Sequence, residues 1–231
     1  MTSPELTLES LPRVVILCGG EGLRLRPLTD ECPKPLIQVN GRPIIDYIIQ
    51  HVNAHGLYDV TLAAGYKQEM LCNHFAGTAV QVIDTGSQDI AGRISQLDDG
   101  SSRETLVLYG DTLSDVDLTA LIASHRGTHA DATVTVWPLR SSFGLFTVDD
   151  QQLIQTYQEK PTLDYWINIG YLMLSRRALD EIRKESTFEG FLKRLVAHRS
   201  LHAFPHTGVH ITVNTRAELE EAENVLSDWN T

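Results

Sequence analysis

Short apolar runs, each halted by glycine or an acid, set the rhythm of the first half of this chain. Arg13–Cys18 (RVVILC), Asp59–Ala63, Val80–Ile83 and Thr105–Leu108 are nearly continuous apolar stretches. Runs of this length without polar alternation suit strands buried on both faces of a parallel sheet. Between them the period lengthens. Ile44, Ile45, Ile48, Ile49 and Val52 fall at helical spacing, which predicts a helix over Pro43–His55 closed by Gly56 at C′. Gln68–Phe75 predicts a shorter helix. Strands alternating with helices in this way imply right-handed crossovers and a largely parallel sheet.

The second half reads differently. Leu118–Arg126 predicts a helix, and the alternation ATVTVW over Ala132–Trp137 a half-buried strand. Leu145–Val148 and Leu153–Tyr157 flank Asp149-Asp150 as the arms of a hairpin, and Ile167–Leu174 predicts a further strand. Helices follow over Arg176–Arg183, Thr187–Ala197 and Thr215–Leu226. The expected fold is α/β: a Rossmann-like, mostly parallel but mixed sheet flanked by helices. No repeat, low-complexity stretch or linker divides the chain. A flexible arm over 1–12 and a single domain over 13–231 are expected, the domain having halves 13–127 and 128–231.

Composition narrows the function more than the fold. A chain of 231 residues can bury one substantial core. A net charge of −11 argues against nucleic acid or anionic membrane as partners of the whole surface, yet leaves room for a local basic pocket. No stretch approaches the ~20 apolar residues that span a bilayer. The opening MTSPELTLESLP has neither a basic n-region nor an apolar h-region, so a cytoplasmic location is expected. Cys18, Cys32 and Cys72 match no paired metal spacing and are expected as free thiols.

Candidate chemistry gathers at the ends of the predicted strands, where open α/β sheets bind ligands. These ends are Gly19–Gly22, Gly65–Lys67, Asp84–Gly86 and Gly110-Asp111. The first is the richest. It runs through Gly19, Gly20 and Gly22 to Arg24, Arg26 and Lys34. Glycines let backbone N–H groups approach a ligand, and cations just beyond them point to phosphates. Pro27, Pro33 and Pro35 keep the segment an ordered loop. It is not a P-loop, for no Gly-Lys pair occurs in it. It is not a dinucleotide fingerprint either, because Leu25 stands where a third glycine belongs.

The longer string, GGEGLRLRPLT followed shortly by PKPL, resembles the signature of the sugar-1-phosphate nucleotidylyltransferases. The similarity continues through GRPIIDYII, VTLAAGYKQEML, VLYGDTLSDVDL, SFGLFTVD, YQEKP and WINIGYLMLS. AAGYK, VIDTGSQDIAGRI and YGDTLSDVDL look closest to the glucose-1-phosphate cytidylyltransferase branch. The resemblance implies a nucleotide-diphospho-sugar transferase fold. It implies transfer of a nucleotidyl group from an NTP, CTP favoured, to a sugar 1-phosphate, with Mg²⁺ as cofactor and a homo-oligomer as the assembly. It makes Arg24 and Lys34 the catalytic cations, on the pyrophosphate and the α-phosphate. Cys18, Gly19, Gly20, Glu21, Gly22 and Gly110 are implied to bind nucleotide, with Gly65, Gly86 and a loop through Gly92 and Arg93 recognising the base. Asp111 is the metal candidate and Asn214 a lesser one. Gly144, Glu159, Lys160, Asn168 and Gly170 are implied to meet the sugar phosphate. On this basis 13–127 binds nucleotide and 128–231 sugar phosphate.

The match departs from the signature in places. Leu23 replaces a threonine. Thr212 and Asn214 stand where the family usually supplies a second metal-binding aspartate, and Asn214 also suits the N-cap of the last helix. Alternatives are a guanylyl-, uridylyl- or thymidylyltransferase acting on a heptose, amino-sugar or cyclitol phosphate, or a cytidylyltransferase for a phosphonate or phosphocholine. A different class, a non-catalytic nucleotide-sensing module, is the remaining rival. His198, His202, His206 and His210 recur every fourth residue, but Phe204-Pro205 breaks any shared helical face.

Overall fold

In a computed structural model, which describes residues 11–229, these runs form one seven-stranded sheet between two helical layers. The arm expected over 1–12 lies almost wholly outside the described residues. In chain order the strands are β1 (Arg13–Cys18), β2 (Val60–Ala64), β3 (Gln81–Asp84), β4 (Glu104–Tyr109), β5 (Ala132–Arg140), β6 (Thr162–Ser175) and β7 (Leu201–Pro205). Across the sheet they lie in the order β7-β5-β6-β4-β1-β2-β3. β1 is parallel to both β2 and β4, and β3 extends the parallel set beyond β2. β6 runs against β4 and β5, so the sheet is mixed as expected.

Burial explains the unbroken apolar runs. Val14, Ile16 and Cys18 of β1 pack on one side with the helices Ile44–Ala54, Leu118–Thr128 and Arg216–Trp229. Val15 faces the other, against Ile90–Leu97, Arg176–Ile182 and Phe188–Ala197. A strand covered on both faces needs apolar residues at successive positions, not alternate ones. Phe191 is wholly buried in the second layer, and burial of such a ring contributes ~1.5–3 kcal/mol.

Some elements differ from those expected. Gly92 and Arg93 lie on the helix Ile90–Leu97, not in a loop. Asp89 starts that helix by accepting the N–H of Ala91 at 2.9 Å. The helix is short and carries a glycine, so its pattern is faint in the sequence. Thr112–Ser114 and His210–Thr212 form a small antiparallel pair, which together with β7 was not predicted. Their partners are remote in sequence and their residues include histidine and proline, both uncommon in strand signals. The expected histidine row therefore falls on separate elements. The hairpin forms from Leu145–Val148 and Ile154–Gln158, and all its strand residues are exposed. Cys18, Cys32 and Cys72 are free thiols. Among the described residues no helix is long and apolar enough to cross a membrane.

Candidate active site

Parallel pairing brings the C-terminal ends of β1, β2, β3 and β4 to one edge, and glycine lets their backbones converge there. A Cβ on Gly65 would lie 2.7 Å from Gly86 O and 2.9 Å from Gly19 O. One on Gly110 would lie 2.7 Å from Cys18 Sγ, and the Gly110 N–H donates to Leu17 O at 3.0 Å. Gly22, with φ +64°, starts the tight turn Leu23–Leu25. Gly20 and Glu21 are exposed, whereas Cys18 is buried, which pushes its thiol up.

Arg93 stands behind this cradle. Its Nη2 donates to Gly19 O at 3.3 Å, Nη1 to Thr85 Oγ1 at 3.0 Å and to Ala64 O at 3.4 Å, and Nε to Gln88 O at 2.8 Å. One guanidinium thus laces together the segments following β1, β2 and β3. Its donors serve backbone carbonyls and a hydroxyl. Gly92 packs against the Gln88 side chain, 2.6 Å from where its Cβ would be.

Lys34 of the long loop meets the acid that follows β4, and Arg24 joins it at Asn214. Lys34 Nζ donates to Asp111 Oδ2 at 2.5 Å and to Asn214 Oδ1 at 2.7 Å. Arg24 Nη2 donates to the same Asn214 oxygen at 2.8 Å. Lys34 is only 8% exposed, so its ammonium is held by these oxygens and not by bulk water. Asn214 is free for this because it does not cap the last helix, as the sequence suggested. Thr215 does: its Oγ1 accepts the Glu218 N–H at 3.3 Å, and Glu218 Oε2 accepts the Asn214 N–H at 2.8 Å.

Beside this cluster lies a cavity of about 400 Å³ whose lining includes Cys18, Gly19, Gly20, Lys34, Arg93, Gly110 and Asp111. Gln88, Asp89 and Tyr109 also line it, and sequence reasoning missed all three. Tyr109 could have been found, since it directly precedes Gly110-Asp111 at a strand end. Burial raises its phenol above the ordinary range. Across Tyr109 stand Asn168 and Gly170. Gly144 packs against Tyr157 and Glu159, which hydrogen-bond to each other. Glu159 and Lys160 are exposed.

A family model described as nucleotidyl transferase matches residues 13–206. The chain belongs to this family. A Bacillus subtilis (strain 168) protein assigned as a glucose-1-phosphate cytidylyltransferase is 32% identical to this transferase, over 94% of this chain and 96% of the relative. A D-glycero-α-D-manno-heptose 1-phosphate guanylyltransferase of Campylobacter jejuni is 26% identical, over 78% of this chain and 85% of its own. The solved structure of HddC from Yersinia pseudotuberculosis with GMP-PN shares the fold, with a TM-score of 0.73 at 19% identity over 94% of this chain and 100% of that one. The relatives place this transferase among the sugar-1-phosphate nucleotidyltransferases.

The transferase has a larger cleft, about 790 Å³, at the opposite edge of the sheet, lined by Arg13, Arg103, Arg126, Arg176 and Arg177 among others. Size does not make it the active site. Arg176 is engaged by Asp98, Arg126 by Glu104, and Arg13 by Leu97 O and Thr61. The smaller cavity joins a glycine cradle to a convergent amine and carboxylate. Asp115, beside it in sequence, pairs with His206 at 2.9 Å, while Asp117 caps the following helix.

Proposed function

We propose that this transferase moves a cytidylyl group from CTP to a sugar 1-phosphate and releases pyrophosphate. The observation that carries the reading is the meeting of Lys34, Arg24, Asp111 and Asn214 beside the glycine cradle. The sugar-phosphate oxygen attacks the α-phosphorus, so two polyanions must be held in line. Backbone N–H groups of Gly19–Gly22 receive the triphosphate. Lys34 neutralises charge growing at the α-phosphate, and Arg24, exposed and planar, grips the departing pyrophosphate. On arrival of the phosphates Lys34 exchanges Asp111 for a phosphate oxygen, while Asn214 keeps Lys34 and Arg24 aligned.

Asp111 Oδ2 and Asn214 Oδ1 already converge on one positive centre, the Lys34 ammonium. One carboxylate and one amide oxygen fit Mg²⁺, which takes few protein ligands and completes its shell with phosphate and water. Bound there, the ion supplies charge screening between the two substrates. Among the described residues no larger cluster of metal-ligating side chains exists. Asn168, Gly170, Gly144, Glu159 and Lys160 belong to the sugar-phosphate side of the site. A cytoplasmic homo-oligomer completes the reading.

CTP is favoured by the names of the Bacillus subtilis relative and of a Salmonella typhi glucose-1-phosphate cytidylyltransferase, 28% identical. Guanylyl transfer to a heptose phosphate is the second reading, favoured by the Campylobacter jejuni relative. The test is pyrophosphate release with each common NTP, Mg²⁺ and a panel of sugar 1-phosphates. Release with CTP above all others supports the first reading. Release with GTP alone supports the second, and release with no pair refutes both.

A further inference from the structure

The turn that carries Arg24 is held from behind, at the carbonyl of Gly22. Thr29 Oγ1 donates to Gly22 O at 3.1 Å, and the Leu25 N–H donates to the same oxygen at 2.9 Å. A Cβ on Gly22 would stand 2.8 Å from Thr29 Cγ2 and 3.3 Å from Lys34 Cβ. The Thr29 methyl and the stem of Lys34 therefore both close on this glycine, whose φ is +64°. Thr29 is 1% exposed, so its hydrogen bond is shielded from water. It is tied in turn to the sheet. Tyr66, two residues beyond β2, donates its hydroxyl to Thr29 O at 2.9 Å, and Lys67 Nζ donates to Asp30 O. One chain of contacts thus runs from the end of β2 through Thr29 to the turn Leu23–Leu25, from which Arg24 reaches Asn214.

We infer that Thr29, anchored by Tyr66, is a positioning residue that sets Arg24 in register with Lys34. The inference rests on the transferase reading and deepens it. Neither Thr29 nor Tyr66 lines the cavity, so both act through Gly22 and the turn that follows it. Lys34 is held by burial, but Arg24 is exposed, and a long exposed side chain is aimed only as well as its backbone is fixed. Thr29 does two separate things to that backbone. Its hydroxyl, a single donor, pins the Gly22 carbonyl. Its methyl fills the space beside the Lys34 stem, so the turn cannot slide towards the lysine. Substitution can separate the two, because valine keeps the shape without the hydroxyl and serine keeps the hydroxyl without the methyl.

Thr29→Val should lower kcat for pyrophosphate release by roughly 3–10-fold, the size of one hydrogen bond, with KM for the sugar 1-phosphate unchanged. Thr29→Ser should restore most of that loss. Tyr66→Phe should lower kcat in the same direction. The deciding comparison uses Arg24→Ala. If Thr29 acts through Arg24, Thr29→Val adds no further loss in that background, whereas a merely structural threonine costs the same factor with and without Arg24. A second readout needs no turnover: the Arg24 Nε–Hε signal in ¹⁵N spectra, assigned by its loss in Arg24→Lys, should shift in Thr29→Val and return in Thr29→Ser. If either kcat or that signal is unmoved in Thr29→Val, or if the losses multiply in the Arg24→Ala background, the inference is overturned. Absence of turnover in the wild-type protein refutes the transferase reading instead, and the Arg24 signal then decides the role of Thr29.

Discussion

Asn214 Oδ1 lies 2.7 Å from Lys34 Nζ, a contact that spans 180 positions of sequence. The same oxygen accepts from Arg24, so one neutral amide aligns two of the cations of the glycine-rich loop. Asn214→Ala should lower kcat/KM by roughly 10–100-fold, as expected for losing hydrogen bonds to charged groups at ~1.5–3 kcal/mol. Steady-state pyrophosphate release measures this. A variant as active as the parent would remove Asn214 from the site.

Lys34 is the buried partner in that arrangement. Its ammonium has no substitute near the α-phosphate, so Lys34→Ala should lose two to three decades in kcat, or ~3–4 kcal/mol of barrier. Lys34→Arg should recover little, because the narrow site at 8% exposure fits an amine and not a planar fork. Single-turnover rates with saturating NTP test both variants.

Gly19 and Arg93 should behave as a coupled pair. A methyl at Gly19 would fall 1.4 Å from Arg93 Nη1, evicting the guanidinium that joins three strand ends. Gly19→Ala should therefore lower stability by ~1–3 kcal/mol through overpacking. In the Arg93→Ala background the same change should cost less, since the obstruction is gone. Denaturant unfolding of the four proteins of this cycle gives the answer, and strictly additive losses would contradict the clip.

Acid should weaken the fold through His210. Burial, aided by His206 and opposed by Asp111, holds its imidazole down to about 4, against an ordinary value of 6.5. The unfolded chain binds a proton as pH falls below 6.5, which the folded protein does not bind until about 4. Stability is thus complete above that window and lost progressively within it, by at most ~3 kcal/mol. His210→Gln should flatten the profile of melting temperature between those limits. An unchanged slope would show that other groups govern the acid limb.

Much of this molecule is legible without coordinates. The layers follow from β1 and its neighbours, where unbroken apolar runs can only be strands covered twice. Strand ends rich in glycine announce where backbones converge. The hairpin at Asp149 and the helices of the second half follow from equally local signals. Arg93 marks the limit. The sequence reads it into a loop beside the base, yet it lies on a short helix that turns its donors onto carbonyls.

What the sequence by itself determined is therefore the α/β architecture and the glycine-rich strand ends gathered at one edge of the sheet. These rest on periodicity and on glycine and proline stereochemistry, which act within a few residues. Tertiary structure decided the partnerships: Asp111 with Lys34 across 77 positions, Asn214 with both cations, Tyr109 with Asn168 across 59. It also decided that Thr215, not Asn214, caps the last helix. Such pairings depend on where the sheet and its loops bring distant atoms within ~3 Å, a distance that no local pattern encodes.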